Sequence, residues 1–303
     1  TSKYALGSRC YNPHMKNIYR ENNIVKLHDG RILGYAEYGN PDGKPLFFFH
    51  GWPSSRLQIR FLNSIAQRLN IRIIAPDRPG FGLSDYKYNR TLLDWPDDVI
   101  QVADHLRINK FAVIGQSGGG PYAAVCAYKI PHRLTKVGIT VGLGPTDIDG
   151  VLQGMGFFNS LSWKYYHKFP ILMELASSFL FLQAKKLFPF KPSFSFRAKS
   201  DQKLLSSSKL QQEFIRNRTE AFRQGKKGCF RDLKIYTDEW DFKLSNIKAK
   251  VFLWYGEDDK NVSVNMGKYY ASQIPNSKLV IYPNEGHLLL NTHSEKILKT
   301  LID

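Results

Sequence analysis

The stretch that decides the fold is FAVIGQSGGGPYAAVCA, which runs from Phe111 to Ala127. An apolar run typical of a buried strand ends at a cluster of small residues around Ser117, and a stretch with helical spacing follows. Glycines gather at such a junction for one of two reasons. They cradle a phosphate, or they allow a tight turn that holds a nucleophile clear of a sheet.

The two phosphate-binding patterns do not match this stretch. A P-loop requires Gly-Lys followed by Ser or Thr, and the sequence contains no such triplet. A dinucleotide fingerprint requires a glycine where Ser117 stands. Residues 115–119 instead read Gly-Gln-Ser-Gly-Gly, which matches Gly-x-Ser-x-Gly. Alone, that motif fits an ordinary glycine-rich turn equally well, but its position between a strand and a helix favours a nucleophilic Ser117.

A serine nucleophile needs a base, and the base needs an acid that orients it. With this turn the chain order is Ser, acid, His. His287 closes KLVIYPNEGH, a predicted strand and short loop, and is preferred as the base over the later His293. The acid is predicted to be Asp259, after the strand in KVFLWYGEDDK, with Asp258 as the alternative.

Acyl transfer also needs backbone N–H groups directed at the developing oxyanion. One is expected from Gly118, which follows the nucleophile, and the other from Trp52 in the loop FFFHGWPSS. His50 in that loop is interpreted as an organiser and not as a catalyst. The substrate pocket is predicted to contain Gln116, Phe157, Phe158 and Trp163.

Strands and helices alternate along the first half of the chain and again near its end, which predicts an α/β fold with a mostly parallel central sheet and helices on both faces. Residues 145–243 interrupt the alternation, are rich in Phe and Lys, and contain the clearest helical pattern at 208–225. An inserted helical segment is expected to form a lid over the active end of the sheet. The predicted division is a core of 20–144 and 244–303, a helical cap of 145–243, and an N-terminal extension of 1–19.

Composition is that of a globular protein: 43% of the 303 residues are hydrophobic and 23% are charged. The net charge of +17 is compatible with nucleic acid or an anionic membrane surface, but the lysines are dispersed and no aromatic-basic recognition motif accompanies them. We therefore expect no nucleic-acid partner and no stable membrane insertion. Three widely spaced cysteines fit a reducing, cytoplasmic compartment, while a chain that starts at Thr1 leaves upstream targeting open.

The chain resembles the α/β-hydrolase superfamily across nearly its whole length. The resemblance is carried by five segments that occur in the same order as the motifs of that superfamily: FFFHGWPSSR, IAPDRPGFGLSD, GQSGGG, GEDDKNV and NEGH. The resemblance implies the α/β-hydrolase fold with an inserted lid. A serine nucleophile departs from the epoxide hydrolases and dehalogenases, which use aspartate, and HGWPSS lacks the HGGPG of the proline iminopeptidases. The Lys- and Asn-rich composition suggests a Plasmodium-like source and a resemblance to prodrug-activating esterases.

The predicted function is hydrolysis of small to medium apolar carboxylic esters, including ester prodrugs, by a Ser–His–Asp acyl-enzyme mechanism that needs no metal or organic cofactor. One alternative is a lysophospholipase or monoacylglycerol lipase, in which basic residues of the cap attract an anionic head group. An alternative of another class is a hydrolase fold that binds ligands without turnover. The complete set of Ser117, Asp259 and His287 argues against that last alternative.

Overall fold

The computed structural model of the chain describes residues 20–166, 168–185 and 198–303, so the predicted extension of 1–19 lies outside the described residues. Eight strands in the described part form one sheet: β1 (Arg20–Lys26), β2 (Ile32–Gly39), β3 (Lys44–Phe49), β4 (Ile71–Pro76), β5 (Phe111–Gln116), β6 (Leu134–Thr140), β7 (Val251–Gly256) and β8 (Ser277–Tyr282). Their order across the sheet is β1-β2-β4-β3-β5-β6-β7-β8. The two pairings of β2 are antiparallel and the pairings from β4 to β8 are parallel, which confirms the predicted fold class.

The helices of the described part are α1 (Asn63–Arg68), α2 (Trp95–His105), α3 (Gly120–Lys129), α4 (Phe157–Tyr165), α5 (Pro170–Ala184), α6 (Lys199–Leu205), α7 (Ser208–Ala221), α8 (Lys227–Thr237), α9 (Val264–Gln273) and α10 (Leu289–Ile302). Helices α2, α3 and α9 cover one face of the sheet, and α1 and α10 cover the other. The run of three phenylalanines in β3 shows why both faces need cover. Phe47 and Phe49 belong to one buried cluster and Phe48 to the other, because successive side chains of a strand point to opposite faces.

The carboxyl ends of the parallel strands lie at one edge of the sheet, and ligands of open α/β sheets bind at that edge. The loop that contains Trp52 follows β3, and Ser117 follows β5. Asp259 comes after β7, and His287 comes after β8. The sheet therefore brings four segments far apart in sequence to one end of the molecule.

Helices α4 to α8 lie between β6 and β7, where the cap was predicted. The boundaries of that cap, 145 and 243, stay a prediction. Within the described residues, no helix is both long enough and apolar enough to cross a membrane.

Candidate active site

Ser117 lies on a left-handed turn between β5 and α3, with a φ angle of 54°. A non-glycine residue adopts this region at a cost of about 1–2 kcal/mol, so the surrounding contacts must hold it there. Gly115 and Gly119 permit those contacts. A Cβ atom at Gly119 would lie 2.1 Å from the carbonyl oxygen of Phe49, and one at Gly115 would lie 2.1 Å from the carbonyl oxygen of Gly119. The turn thus packs backbone against backbone.

His287 and Asp259 form a buried pair. The distance from His287 Nδ1 to Asp259 Oδ2 is 2.7 Å. The other carboxylate oxygen, Oδ1, accepts the N–H groups of Asn261 at 2.7 Å and Val262 at 3.1 Å. Because the carboxylate accepts, Nδ1 carries the proton, which leaves Nε2 as the basic nitrogen. His287 lines the same pocket as Ser117.

The electrostatic surroundings of His287 favour its charged form. Burial alone would lower the pKa of the imidazole, but the charge and hydrogen bond of Asp259, with a further contribution from Asp201, raise the pKa above its ordinary value of 6.5. The alternative base, His293, and the alternative acid, Asp258, are not the members of this pair. His293 is within α10, where its Nε2 is 2.9 Å from Glu285 Oε1, and the N–H of Asp258 donates to the carbonyl of Glu285.

Asp201 on α6 holds the backbone that carries His287, a contact that sequence reasoning missed. Its Oδ2 accepts the N–H of His287 at 2.9 Å, and its Oδ1 accepts the N–H of Leu288 at 2.8 Å. The residue is buried. Burial raises the pKa of this carboxyl, although the two N–H groups and the nearby His287 act in the opposite direction. In the sequence, Asp201 looks like an ordinary acid in the first turn of a helix.

The loop after β3 lies directly against the turn of Ser117. A Cβ atom at Gly118 would be 2.9 Å from Cβ of Trp52, so the two residues proposed as oxyanion donors have adjacent backbones. Gly118 is in the first turn of a helix, where N–H groups lack intrahelical acceptors. The indole Nε1 of Trp52 donates to the carbonyl of Cys229 at 3.0 Å, which ties this loop to α8.

His50 organises that loop as a neutral side chain. Burial, and then the charge of Arg78, hold the pKa of His50 well below its ordinary range. The N–H of Arg78 donates to His50 Nε2 at 3.1 Å. The proton of the neutral ring is therefore on Nδ1, which donates to the carbonyl of Gly51 at 2.9 Å. This geometry fits the interpretation of His50 as an organiser.

A buried charge cluster lies behind the same loop. Arg78 donates to the carbonyls of His50 and Gly51, and its Nε donates to Asp232 Oδ2 on α8 at 2.9 Å. Arg90 pairs with the other oxygen of Asp232. Burial would raise the pKa of Asp232, but the two arginines lower it to about 2. Two buried cations on one carboxylate leave an excess of one positive charge beside the loop.

The pocket around Ser117 and His287 is formed by the loop after β3, the segment 57–61 and helix α7. The residues that line it are Gly51, Trp52, Pro53, Ser54, Leu57, Gln58, Arg60, Phe61, Gln116, Ser117, Leu210, Glu213, Phe214, Asn217, Arg218, His287, Leu288 and Asn291. Its cavity volume is about 100 Å³, small against the ~300–1,000 Å³ typical of sites for drug-sized ligands. Gln116, which the sequence analysis assigned to the substrate pocket, lines this cavity, and Gln58 Nε2 donates to its Oε1 at 3.1 Å.

The structure places the predicted aromatic wall differently. Among the described residues, neither Phe157 nor Trp163 lines this pocket. Phe157 is 70% exposed on α4, and Trp163 packs edge-on against Trp52, with ring centroids 6.2 Å apart. The side chain of Phe158 lies outside the described residues. The wall comes instead from α7, whose Leu210 and Phe214 share one face at i, i+4 spacing, a signal present in the predicted 208–225 helix.

In residues 20–166, 168–185 and 198–303, no group of three or more His, Cys, Asp or Glu side chains is arranged to hold a metal ion.

Comparison with known proteins identifies the fold family. A family model described as alpha/beta hydrolase fold matches residues 44–294. A bifunctional esterase/perhydrolase from Acinetobacter calcoaceticus is 25% identical over 299 residues, covering 92% of this chain and 97% of the relative. An esterase from Exiguobacterium antarcticum has a similar structure, with a TM-score of 0.68 at 18% identity, covering 93% of this chain and 98% of the esterase. A bromoperoxidase from Bacillus anthracis has a TM-score of 0.67 at 22% identity, covering 92% and 98%. These relatives do not support the narrower resemblance to a Plasmodium prodrug-activating esterase.

Proposed function

The chain belongs to the α/β-hydrolase family, and we propose that it is a serine hydrolase that cleaves small to medium carboxylic esters through an acyl-enzyme. One observation carries the proposal. Ser117, on its left-handed turn, lines the same pocket as His287, and Nδ1 of that histidine is 2.7 Å from Asp259. A nucleophile, a base and an orienting acid in chain order are the parts that acyl transfer requires.

In the proposed mechanism, Ser117 Oγ attacks the ester carbonyl carbon while His287 Nε2 takes the hydroxyl proton. The N–H groups of Trp52 and Gly118 bind the oxyanion of the tetrahedral intermediate. Collapse of the intermediate breaks the bond to the alcohol oxygen, which receives the proton from His287. Water then attacks the acyl-enzyme by the same route, releases the carboxylic acid and regenerates Ser117. Asp259 keeps the histidine in the required tautomer.

The proposed preference for small to medium esters is supported by the pocket. Its wall includes the apolar Leu57, Phe61, Leu210 and Phe214, and its cavity volume is about 100 Å³. Each methylene of an acyl chain gains about 0.8 kcal/mol from burial, so binding should improve with chain length only until the cavity is full. Ester prodrugs of modest size are within this class.

The proposal is tested by Ser117→Ala, with the exposed Ser272→Ala as the matched control. We expect kcat on a short p-nitrophenyl ester to fall by about 10³-fold or more for Ser117→Ala and to be unchanged for the control. A fluorophosphonate probe should label the wild type and the control but not Ser117→Ala. Folded wild-type protein that is neither labelled nor active would favour the ligand-binding alternative.

A second pair of variants tests the acid. Asp259→Asn should reduce kcat by about 10³-fold or more, because the amide cannot hold the histidine in the correct tautomer. The neighbouring Asp258→Asn should change kcat less than about threefold, because the substitution keeps the backbone N–H that donates to Glu285 and leaves intact the carboxylate of Asp259, which pairs with His287. The reverse result would move the role of orienting acid to Asp258.

The lysophospholipase alternative is separated from the neutral-ester proposal by substrate preference. The measurement is kcat/KM against acyl length for neutral esters and for lysophosphatidyl substrates, at low and high salt. A preference for long phosphate-bearing substrates that fades with salt would overturn the neutral-ester proposal.

Perhydrolysis is a second candidate reaction, favoured by the 25% identical esterase/perhydrolase. Here hydrogen peroxide, in place of water, would attack the acyl-enzyme at Ser117 and release a peracid. Peracid formation from a short ester and peroxide, lost in Ser117→Ala, would support it.

A further inference from the structure

Helices α4 and α5, with the turn between them, expose an unusual number of large apolar side chains. Six of the nine exposed large hydrophobic residues in the described part lie between positions 157 and 179. These six form what we call the apolar face: Phe157, Leu161, Phe169, Ile171, Leu175 and Phe179. A monomeric protein rarely clusters exposed apolar residues in this way without an interaction partner.

The apolar face follows the geometry of α5. Ile171, Leu175 and Phe179 are 75%, 63% and 47% exposed, and their i, i+4, i+8 spacing puts them on one side of the helix. The inner side of α5 is apolar as well, because Phe181 packs on Phe222 with ring centroids 5.7 Å apart. A helix that is apolar on both sides buries one side in the protein and leaves the other for a second apolar environment.

Lysines border the apolar face. Lys164 and Lys168 lie at the end of α4 and in the turn after it, and Lys185 follows α5; all three are exposed. Lys226 is beside α5, since its Nζ is 3.0 Å from Ser178 Oγ. The sequence from 157 to 185 contains a single acid, Glu174. The border of the face is therefore cationic.

We propose that the apolar face docks on the surface of an anionic phospholipid bilayer. Amphipathic helices with large apolar residues and bordering lysines bind at the headgroup boundary, and each lysine near an anionic surface adds to the attraction. A second copy of the chain is the less favourable occupant, because each copy carries a net charge of +17 and a two-fold contact would bring the two lysine borders together. The 15-residue α5 is suited to lie in the interface plane.

The test is co-sedimentation of the Ser117→Ala protein with vesicles of phosphatidylcholine alone or with 30% phosphatidylserine. This variant cannot hydrolyse lipid in the proposed mechanism, so the result does not depend on the proposed function. We expect binding to the phosphatidylserine vesicles that weakens with salt. The triple change Ile171→Ser, Leu175→Ser and Phe179→Ser, made in the Ser117→Ala protein and called the stripe variant, should weaken binding at least about tenfold.

The matched control is Ile24→Ser, Tyr88→Ser and Ile281→Ser, which removes the three exposed large apolar residues that the described part of the chain has outside the apolar face. This control should bind like the parent protein. The change of Lys164, Lys168 and Lys185 to Gln should remove the preference for phosphatidylserine. Circular dichroism checks that each variant is folded, and light scattering measures its mass in solution.

Equal loss in the control and the stripe variant would overturn the proposal, as would vesicle binding that survives the stripe change. The proposal would also be overturned if the protein does not bind vesicles, has twice the monomer mass in solution, and becomes a monomer in the stripe variant. That result would assign the apolar face to contact with a second copy of the chain.

Discussion

The helices between β6 and β7 fall into two groups with opposite polarity. Helices α6, α7 and α8 direct polar side chains inward: Asp201, Asn217 and Asp232 are all buried. Helices α4 and α5 direct apolar side chains outward. A surface helix normally does the reverse. The inner polar residues make hydrogen bonds in and around the candidate active site, and the outer apolar residues form the face that we propose docks on a membrane.

The three inner polar residues hold two parts of the site, the backbone of His287 and the loop after β3. Asp201 accepts from the backbone of His287, and Asp232 binds Arg78 behind the loop after β3. Asn217 holds that loop directly: its Oδ1 accepts the N–H of Ser55 at 3.0 Å, and its Nδ2 donates to Ser54 Oγ at 2.8 Å. Substitutions in the inner group should therefore change the site, and substitutions in the outer group should not.

The largest effect is expected for Asp232→Asn. Removing one negative charge leaves the buried Arg78 and Arg90 without a counter-ion, which should lower the free energy of unfolding by about 3–5 kcal/mol in urea titrations. The control Asp238→Asn, on an exposed pair with Lys234 just after the same helix, should change it by less than about 0.5 kcal/mol.

The stability difference between wild type and Asp232→Asn should also depend on pH. The pKa of Asp232 is lowered to about 2 in the folded protein, against an ordinary value of 3.8. The contribution of ionised Asp232 to the free energy of unfolding should be complete above pH 3.8 and should be lost as the pH falls through about 2. A difference between wild type and Asp232→Asn that does not shrink on acidification would contradict the assignment of the charge cluster.

A smaller effect is expected for Asp201→Asn, which removes a charge beside His287 and replaces one hydrogen-bond acceptor by a donor. We expect kcat/KM to fall about tenfold, equivalent to about 1.4 kcal/mol. Because Asp201 contributes to the raised pKa of His287, the acid limb of kcat/KM, which reports the free enzyme, should move to lower pH. Lys203→Gln, an exposed change on the same helix, should leave both quantities unchanged. If kcat/KM falls but the acid limb of its pH profile does not move, the role of Asp201 is purely structural.

The smallest effect is expected in the outer group. Ile171→Ser, Leu175→Ser and Phe179→Ser together should leave kcat/KM on a short soluble ester within about twofold, because the side chains are exposed and surface changes usually cost less than about 0.5 kcal/mol each. Steady-state assays of the triple variant check this. A tenfold fall in kcat/KM would mean that the outer helices α4 and α5 also influence the candidate active site.

Sequence reasoning predicted the parts of the site that short motifs encode. Ser117 with its glycines, the acid after β7 and the histidine after β8 each depend on a strand and the few residues that follow it. The supporting residues could not be found in this way. Asp201 is 86 positions from His287 and Asp232 is 154 positions from Arg78, and each is unremarkable in its own helix.

The pocket wall shows the same limit. The prediction placed Phe157 and Trp163 beside the substrate because they follow the strand that leads into the cap. The fold instead brings α7 to Ser117, and hydrophobicity alone does not distinguish an apolar residue that lines a pocket from one that faces solvent.

The carbonyl of Gly51 accepts both the guanidinium of Arg78 and Nδ1–H of His50, each at 2.9 Å. That carbonyl and the N–H of Trp52 are opposite ends of one planar, resonant amide. Electron density drawn towards the oxygen is drawn from the nitrogen, so the amide hydrogen of Trp52, which binds the oxyanion in the proposed mechanism, becomes more positive, as in a chain of hydrogen bonds whose members polarise one another. Through one peptide group, the buried guanidinium of Arg78 therefore polarises the N–H of Trp52. The side chain of Arg78 itself has no exposed surface.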